Sequence, residues 1–356
     1  MRTRWLVGGL VLVVLAGLGY AGSVVWGRAH RTDLERAVSL VPAATQRLSF
    51  TDWAAVRRSL HVPTTAAPSP TTVTKWLNRA YDRDLSTVSS ISDSARALAE
   101  HYGWSPGNAD WEAYAQAGSG SAMVLRMADQ VSFDALAGHL RELGYTKPSS
   151  ETGVWLGGAD LVGPLDPSLT PEVQYVVLLA DQHLVISSDT ASYAETAARA
   201  AQGKGASLAA TSSVTDMIGR IGEPGAAMIW ARDFACKDLA MAHADRASQR
   251  QADQLIAAAG RTSPLSGLVM ALSPGRVLTI AEEFESSDQA RENLRARARL
   301  AVGEAVGRGE STFNDDLKLT ASKAVGSTVL LTMRPRSAGV FPLSSLYSGP
   351  VIFATC

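Results

Sequence analysis

Two short segments of this chain occur twice, in the same order. Gly120-Ser-Ala-Met-Val-Leu125 returns as Gly225-Ala-Ala-Met-Ile-Trp230, and Ser187-Ser-Asp-Thr-Ala191 returns as Ser286-Ser287-Asp-Gln-Ala290. The two landmarks lie 67 residues apart in the first copy and 61 in the second. Similar segments repeated in order at a near-constant spacing point to an internal duplication. A duplicated chain folds as two copies of one unit, which restricts its architecture strongly.

Each copy reads as strand, helix, hairpin, helix. In the first, 122–126 is a strand and 132–143 a helix, capped by Ser132 and stopped by Gly144. A hairpin follows around Asp181-Gln182, then a closing helix over 191–201. In the second, 226–231 is the strand and 238–259 the helix, stopped by Gly260. The hairpin turns at Pro274-Gly275, the closing helix covers 288–306, and two more strands are predicted at 317–321 and 328–333. Tight hairpins imply a largely antiparallel sheet and an α+β fold.

Residues Trp5 to Trp26 form an apolar run of 22 residues without a charge. As a helix it spans about 33 Å, roughly the thickness of a bilayer core. It reads as an uncleaved signal anchor, a single transmembrane helix with everything after it outside the cytoplasm. A cleaved signal peptide is the alternative, with Ala21-Gly22-Ser23 as a poor cleavage site. The expected sections are 1–27 as the anchor and 28–118 as a strand–helix and helical region with a Pro/Thr-rich loop at 63–74. The first module follows at 119–224 and the second at 225–356.

The chain holds 33 Lys+Arg against 34 Asp+Glu, a formal net charge of −1. That leaves no basic footprint for nucleic acid. The two cysteines are Cys236 and Cys356. In an exported chain this count suggests one disulfide, with two free thiols as the alternative. The six histidines form no HExxH or close pair, and no GxSxG or Ser-x-x-Lys occurs. No catalytic residue, cofactor or metal site is therefore assigned.

Two features remain as binding candidates. The segment 101–114 concentrates Tyr102, Trp104, Trp111 and Tyr114 in a chain with 6% aromatic residues. As a loop, Trp104, Trp111 and Tyr114 would form a stacking platform, with Asn108 and Asp110 as polar partners. The alternative is a loop folded back to plug the core. The second feature is Arg291, Arg295 and Arg299, which share one face of the last long helix. They suit an anionic lipid or an acidic partner; a solvated face is the alternative.

Leu40-Val-Pro-Ala-Ala-Thr, Phe50-Thr-Asp-Trp53, Tyr102-Gly-Trp-Ser105 with Trp111-Glu112, and the ending Gly349-Pro-Val-Ile-Phe-Ala-Thr-Cys356 carry a family resemblance. Together they resemble membrane-anchored envelope proteins of high-GC Gram-positive bacteria, a family of unknown function. The resemblance implies an envelope location and assigns no catalytic residue. The expected function is a non-enzymatic ligand-binding or scaffolding protein of the envelope. Expected partners are the membrane and an envelope glycan, a lipid or another membrane protein. The alternative is an envelope enzyme acting on wall glycan or lipid.

Overall fold

The computed structural model describes residues 31–239, 241–309 and 311–356. The apolar run 5–26 lies outside them. Among the described residues, no helix is long and apolar enough to cross a membrane. The fold class is therefore corrected: the observed architecture is α+β with one antiparallel sheet of 11 strands, and no membrane-spanning helix occurs among the described residues. That one sheet runs through the expected sections 28–118, 119–224 and 225–356.

The strands are β1 (Arg47–Thr51), β2 (Ala109–Ala117), β3 (Gly120–Met127), β4 (Trp155–Leu156), β5 (Tyr175–Leu179) and β6 (Leu184–Ser188). They continue as β7 (Ala226–Ala231), β8 (Gly267–Leu272), β9 (Leu278–Glu283), β10 (Leu317–Val325) and β11 (Thr328–Pro335). Their order is β10-β11-β9-β8-β7-β1-β2-β3-β6-β5-β4. Every neighbouring pair is antiparallel.

The principal helices are α1 (Asp33–Leu40), α2 (Trp53–Ser59), α3 (Pro70–Tyr81), α4 (Phe133–Leu143) and α5 (Ala191–Ala201). They are followed by α6 (Ser212–Ile221), α7 (Phe234–Asp238), α8 (Arg246–Ala259) and α9 (Ser287–Leu300). Local chemistry sets their ends. Asp52, Ser132, Thr190, Asp245 and Ser286 each cap the helix that follows, accepting a backbone N–H with the side chain. Gly144 ends α4 in the left-handed region, at φ 97°. The helix expected over 238–259 is broken, because Asp245 caps a new start at Arg246. The Pro/Thr-rich stretch is a loop only as far as Ser69, where Pro70 opens α3 at the position proline tolerates best.

The two modules do not match as expected. In the first, β3 pairs with the second strand of its hairpin, β6. In the second, β7 pairs with the first strand of its hairpin, β8. The closing helices also lie on opposite faces of the sheet. Tyr193, Ala194 and Ala197 of α5 join one core layer, and Ala290 and Leu300 of α9 join the other.

A different register does relate the halves. One unit runs α1-β1-α2…β2-β3-α4…β5-β6, the other α6-β7-α7…β8-β9-α9…β10-β11. Their strand orders are β1-β2-β3-β6-β5 and β7-β8-β9-β11-β10, which are the same. The matching helices also share faces: α1 and α6 contribute to one core layer, α4 and α9 to the other. In both units an Asp and then an aromatic residue follow the first strand, Asp52-Trp53 and Asp233-Phe234. In both, Ser-x-Asp opens the helix after the third strand, at Ser132 and Ser286. The units meet at β1 and β7, the middle of the sheet.

Two buried arginines pin irregular segments against this frame. Arg57 donates to the carbonyls of Pro106 and Ala109, at 2.5 and 2.6 Å. Arg297 donates to Phe353, Thr355 and Ser263 carbonyls at 2.6–2.7 Å and lies 3.8 Å from the buried Glu282 carboxylate. Next to it, Cys236 and Cys356 form a disulfide with a Cα separation of 5.7 Å. The C-terminal segment is thus held covalently and by the Arg297 guanidinium, and Arg308 donates to the Pro350 carbonyl at 2.9 Å just before it.

Candidate functional site

The aromatic segment is not a surface loop. Residues 98–102 form a wide helical turn that Gly103 stops at φ 76°, and from Ala109 the chain is strand β2. Alternation along β2 sends Trp111, Ala113 and Ala115 to one core layer and Tyr114 toward the other. Trp104 is 0% exposed, with its ring centroid 4.9 Å from that of Tyr102. Asn108 is a buried staple: its amide donates to Ala66 and Gly103 carbonyls and its oxygen accepts from the Ser105 N–H. The Tyr114 hydroxyl donates to Glu172 at 2.6 Å. Trp104, Asn108 and Tyr114 therefore serve the interior, and the expected stacking platform does not form. The missed signal is the period-2 pattern Trp111-Glu-Ala-Tyr-Ala-Gln-Ala117, which reads as a strand.

Asp110 and Trp111 belong to something else. They line a groove of about 560 Å³ at the strand ends, walled by Asp33, Arg36, Ser39, Arg58, Arg126 and Gln182. That is an ordinary size for a small-molecule site. A smaller hollow of about 330 Å³ shares Asp33, Arg36 and Arg58 as a common wall and adds Arg31, Asp52 and Glu223. The topology builds this place. The end of β1, the start of β2, the end of β3 and the start of β6 all arrive at one side of the sheet, and α1 lies over them. Trp111, 2% exposed, supplies the floor and packs on Phe50 at 6.3 Å.

Three of the site's carboxylates, Asp33, Asp110 and Asp52, are engaged. Asp33 pairs with Arg36 at 3.0 Å, and Asp110 faces the buried Arg57 at 3.7 Å. Asp52 accepts the Ala55 N–H at 2.6 Å as the cap of α2. Burial pushes the Asp52 carboxyl up to about 6, against the pull of that N–H. Burial also raises Asp110, with Arg57 pulling the other way. Among the cations, Arg126 pairs with Asp129 at 2.9 Å. Arg58 is exposed and has no carboxylate within 4 Å among the described residues. In the larger groove Arg58 is thus the cation without an ion pair within 4 Å. Its charge pulls the Asp52 carboxyl down through space, and Arg31 and Glu223 of the adjoining hollow likewise have no ion pair within 4 Å among the described residues.

The arginine stripe is on the surface. Arg291, Arg295 and Arg299 are exposed, and Arg291 pairs with Asp288 one turn away. The interior arginine of that helix is Arg297, which the i, i+4 pattern passes over. A buried carboxylate was also missed. Glu112 accepts from the Trp53 indole at 2.9 Å, the Ser89 hydroxyl at 2.9 Å and the Ser90 N–H at 2.8 Å, and burial pushes it up to about 7. It lies in the core beneath α2, away from the groove. Among the described residues, no group of three His, Cys, Asp or Glu side chains is arranged to hold a metal ion.

No family model and no curated protein matches the sequence. Among solved structures the chain is similar to crystal forms of TP0453. Form I has a TM-score of 0.38 and 9% identity, covering 90% of this chain and 100% of that one. Form III has a TM-score of 0.38 and 8% identity over 88% and 97%. Form IV has a TM-score of 0.42 and 10% identity over 88% and 96%. A likeness at this level carries no inference about function.

Proposed function

We propose that this is a non-enzymatic, extracytoplasmic binding protein of the cell envelope, and that its groove takes a small acidic sugar unit. Arg58 carries the reading. It is the cation of the larger groove without an ion pair within 4 Å, while Asp33 and Asp110 face guanidinium groups and Asp52 accepts a backbone N–H. An anionic group on the ligand would answer it. Ser39, Gln182 and the rim carboxylates would meet hydroxyl groups. The Cys236–Cys356 disulfide supports an oxidising compartment, since such bonds are rare in reducing cytosol. An envelope hydrolase is the second reading, favoured by Asp52, whose carboxyl at about 6 suits proton transfer near neutral pH.

N-acetylmuramic acid, a carboxylated amino sugar, is a suitable probe for calorimetric titration. The expected result is binding that Arg58→Ala weakens by about 10–100-fold, the worth of one charge-assisted hydrogen bond. Thermal stability should be unchanged, because Arg58 is exposed. Equal binding by the variant, or none by the native protein, contradicts the proposal. Turnover of a glycan that Asp52→Asn abolishes would establish the second reading instead.

A further inference from the structure

The correspondence between the units exposes one difference. In the first unit, the sheet face over β3, β6 and β5 is covered by α5, through Tyr193, Ala194, Ala197, Ala198 and Ala201. The matching strands of the second unit are β9, β11 and β10. Helix α6 covers the inner part of that face, burying Ala281 and Leu330. Among the described residues, no second helix covers the rest.

Register identifies what is left open. Lys318 lies opposite Arg334, Ala321 opposite Thr332, Lys323 opposite Leu330 and Val325 opposite Thr328. All point to the same side as Leu330, since directly paired residues share a face. Lys318, Ala321, Lys323 and Arg334 are exposed, and Val325 is 39% exposed. Lys318, Lys323 and Arg334 have no carboxylate within 4 Å among the described residues. Of the carboxylates on the neighbouring elements, Glu283 is buried and accepts from Ser327 and Thr328, and Asp216 lies 4.0 Å from Arg220, while Asp316 just before β10 is exposed.

We infer that the open β10–β11 face is a docking surface for an acidic amphipathic helix of a partner protein, seated as α5 is seated in the first unit. Small apolar residues of the partner helix would lie on Ala321 and Val325. Its flanking carboxylates would meet Lys318, Lys323 and Arg334. The patch is separate from the groove, which belongs to the first unit.

The probe is a fluorescent peptide of residues 189–203 carrying Arg199→Glu. It keeps the small face of α5 and makes the outer face acidic. Fluorescence anisotropy with the full-length protein should show saturable binding below about 1 mM. Reversing the charges with Lys318→Glu, Lys323→Glu and Arg334→Glu should weaken it at least tenfold, with an unchanged melting curve. A Val325→Asp variant tests the apolar contact separately and should also weaken it. No binding, or equal binding to both variants, overturns the inference. So does a concentration-dependent dimer of the native protein that the charge reversals abolish, because a second copy would then be the occupant.

Discussion

Replacing Cys236 and Cys356 together with Ser will remove nearly 5 kcal/mol of stability. The bond closes a separation of 120 residues. In the chain-entropy model a loop of that length restricts the unfolded chain by somewhat under 5 kcal/mol. The closed loop contains β8 to β11, four of the five strands of the second unit. Its loss should therefore loosen that half first. The denaturant midpoint gives the total, and hydrogen exchange locates the change. A midpoint within 1 kcal/mol of the native value would show that the bond contributes little beyond Arg297.

Arg297→Met should cost about 3–5 kcal/mol, the usual result of removing one member of a buried ion pair. Two consequences add up. Glu282, fully buried and without a hydrogen bond, is left without its neighbouring charge. Burial already holds its carboxyl above the usual carboxylate range, and only Arg297 pulls it down. In addition, the carbonyls of Phe353, Thr355 and Ser263 lose their donor. Adding Glu282→Leu should restore part of the loss by removing the stranded carboxylate, but not the part due to the carbonyls. Denaturant unfolding of the two variants separates these contributions. If Arg297→Met costs under 1 kcal/mol, Arg297 contributes little to holding the C-terminal segment. Both groups hold the same segment, so their effects should not be additive.

The local signals were legible in the sequence wherever one residue decides the geometry. Ser132 and Gly144 bound α4, Asp52 starts α2, and the turns at Asp181-Gln182 and Pro274-Gly275 set two hairpins. The disulfide followed from a count of two. The duplication was legible in kind but not in register. Ser-Ser-Asp-x-Ala stands at the start of both α5 and α9, but the cap is Thr190 in the first and Ser286 in the second, so a Ser/Thr/Asp cluster marks a helix start without saying which helix it opens. Strand pairing decides that, and it joins residues far apart in the chain.

The groove was half legible. Asp110 and Trp111 were singled out, but as part of a loop whose other members turned out to be core. Asp33, Arg36, Arg58 and Arg126 carry no common motif. They converge only because four strand ends and α1 arrive at one place. Arg297 was hidden for a related reason. Counting every fourth residue found the exposed arginines, and a buried arginine on the other face has no sequence mark of its own.

The junction of the two units at β1 and β7 underlies both the groove and the open face, and one cross-link tests it directly. The Asp52 N–H donates to Gly225 and the Ala231 N–H to Gln46, at 2.9 and 2.8 Å. Along the ladder this makes Ser49 and Met228, which lie opposite each other, a pair without hydrogen bonds between them. Such pairs have Cα atoms about 4.5 Å apart, within reach of a disulfide. A Ser49→Cys, Met228→Cys variant should form that bond, seen as a linked peptide in a non-reduced digest. A Ser49→Cys, Ile229→Cys control, with side chains on opposite faces, should keep two free thiols. Free thiols in the first variant, or equal linkage in both, would contradict the central β1–β7 pairing and the relation between the units.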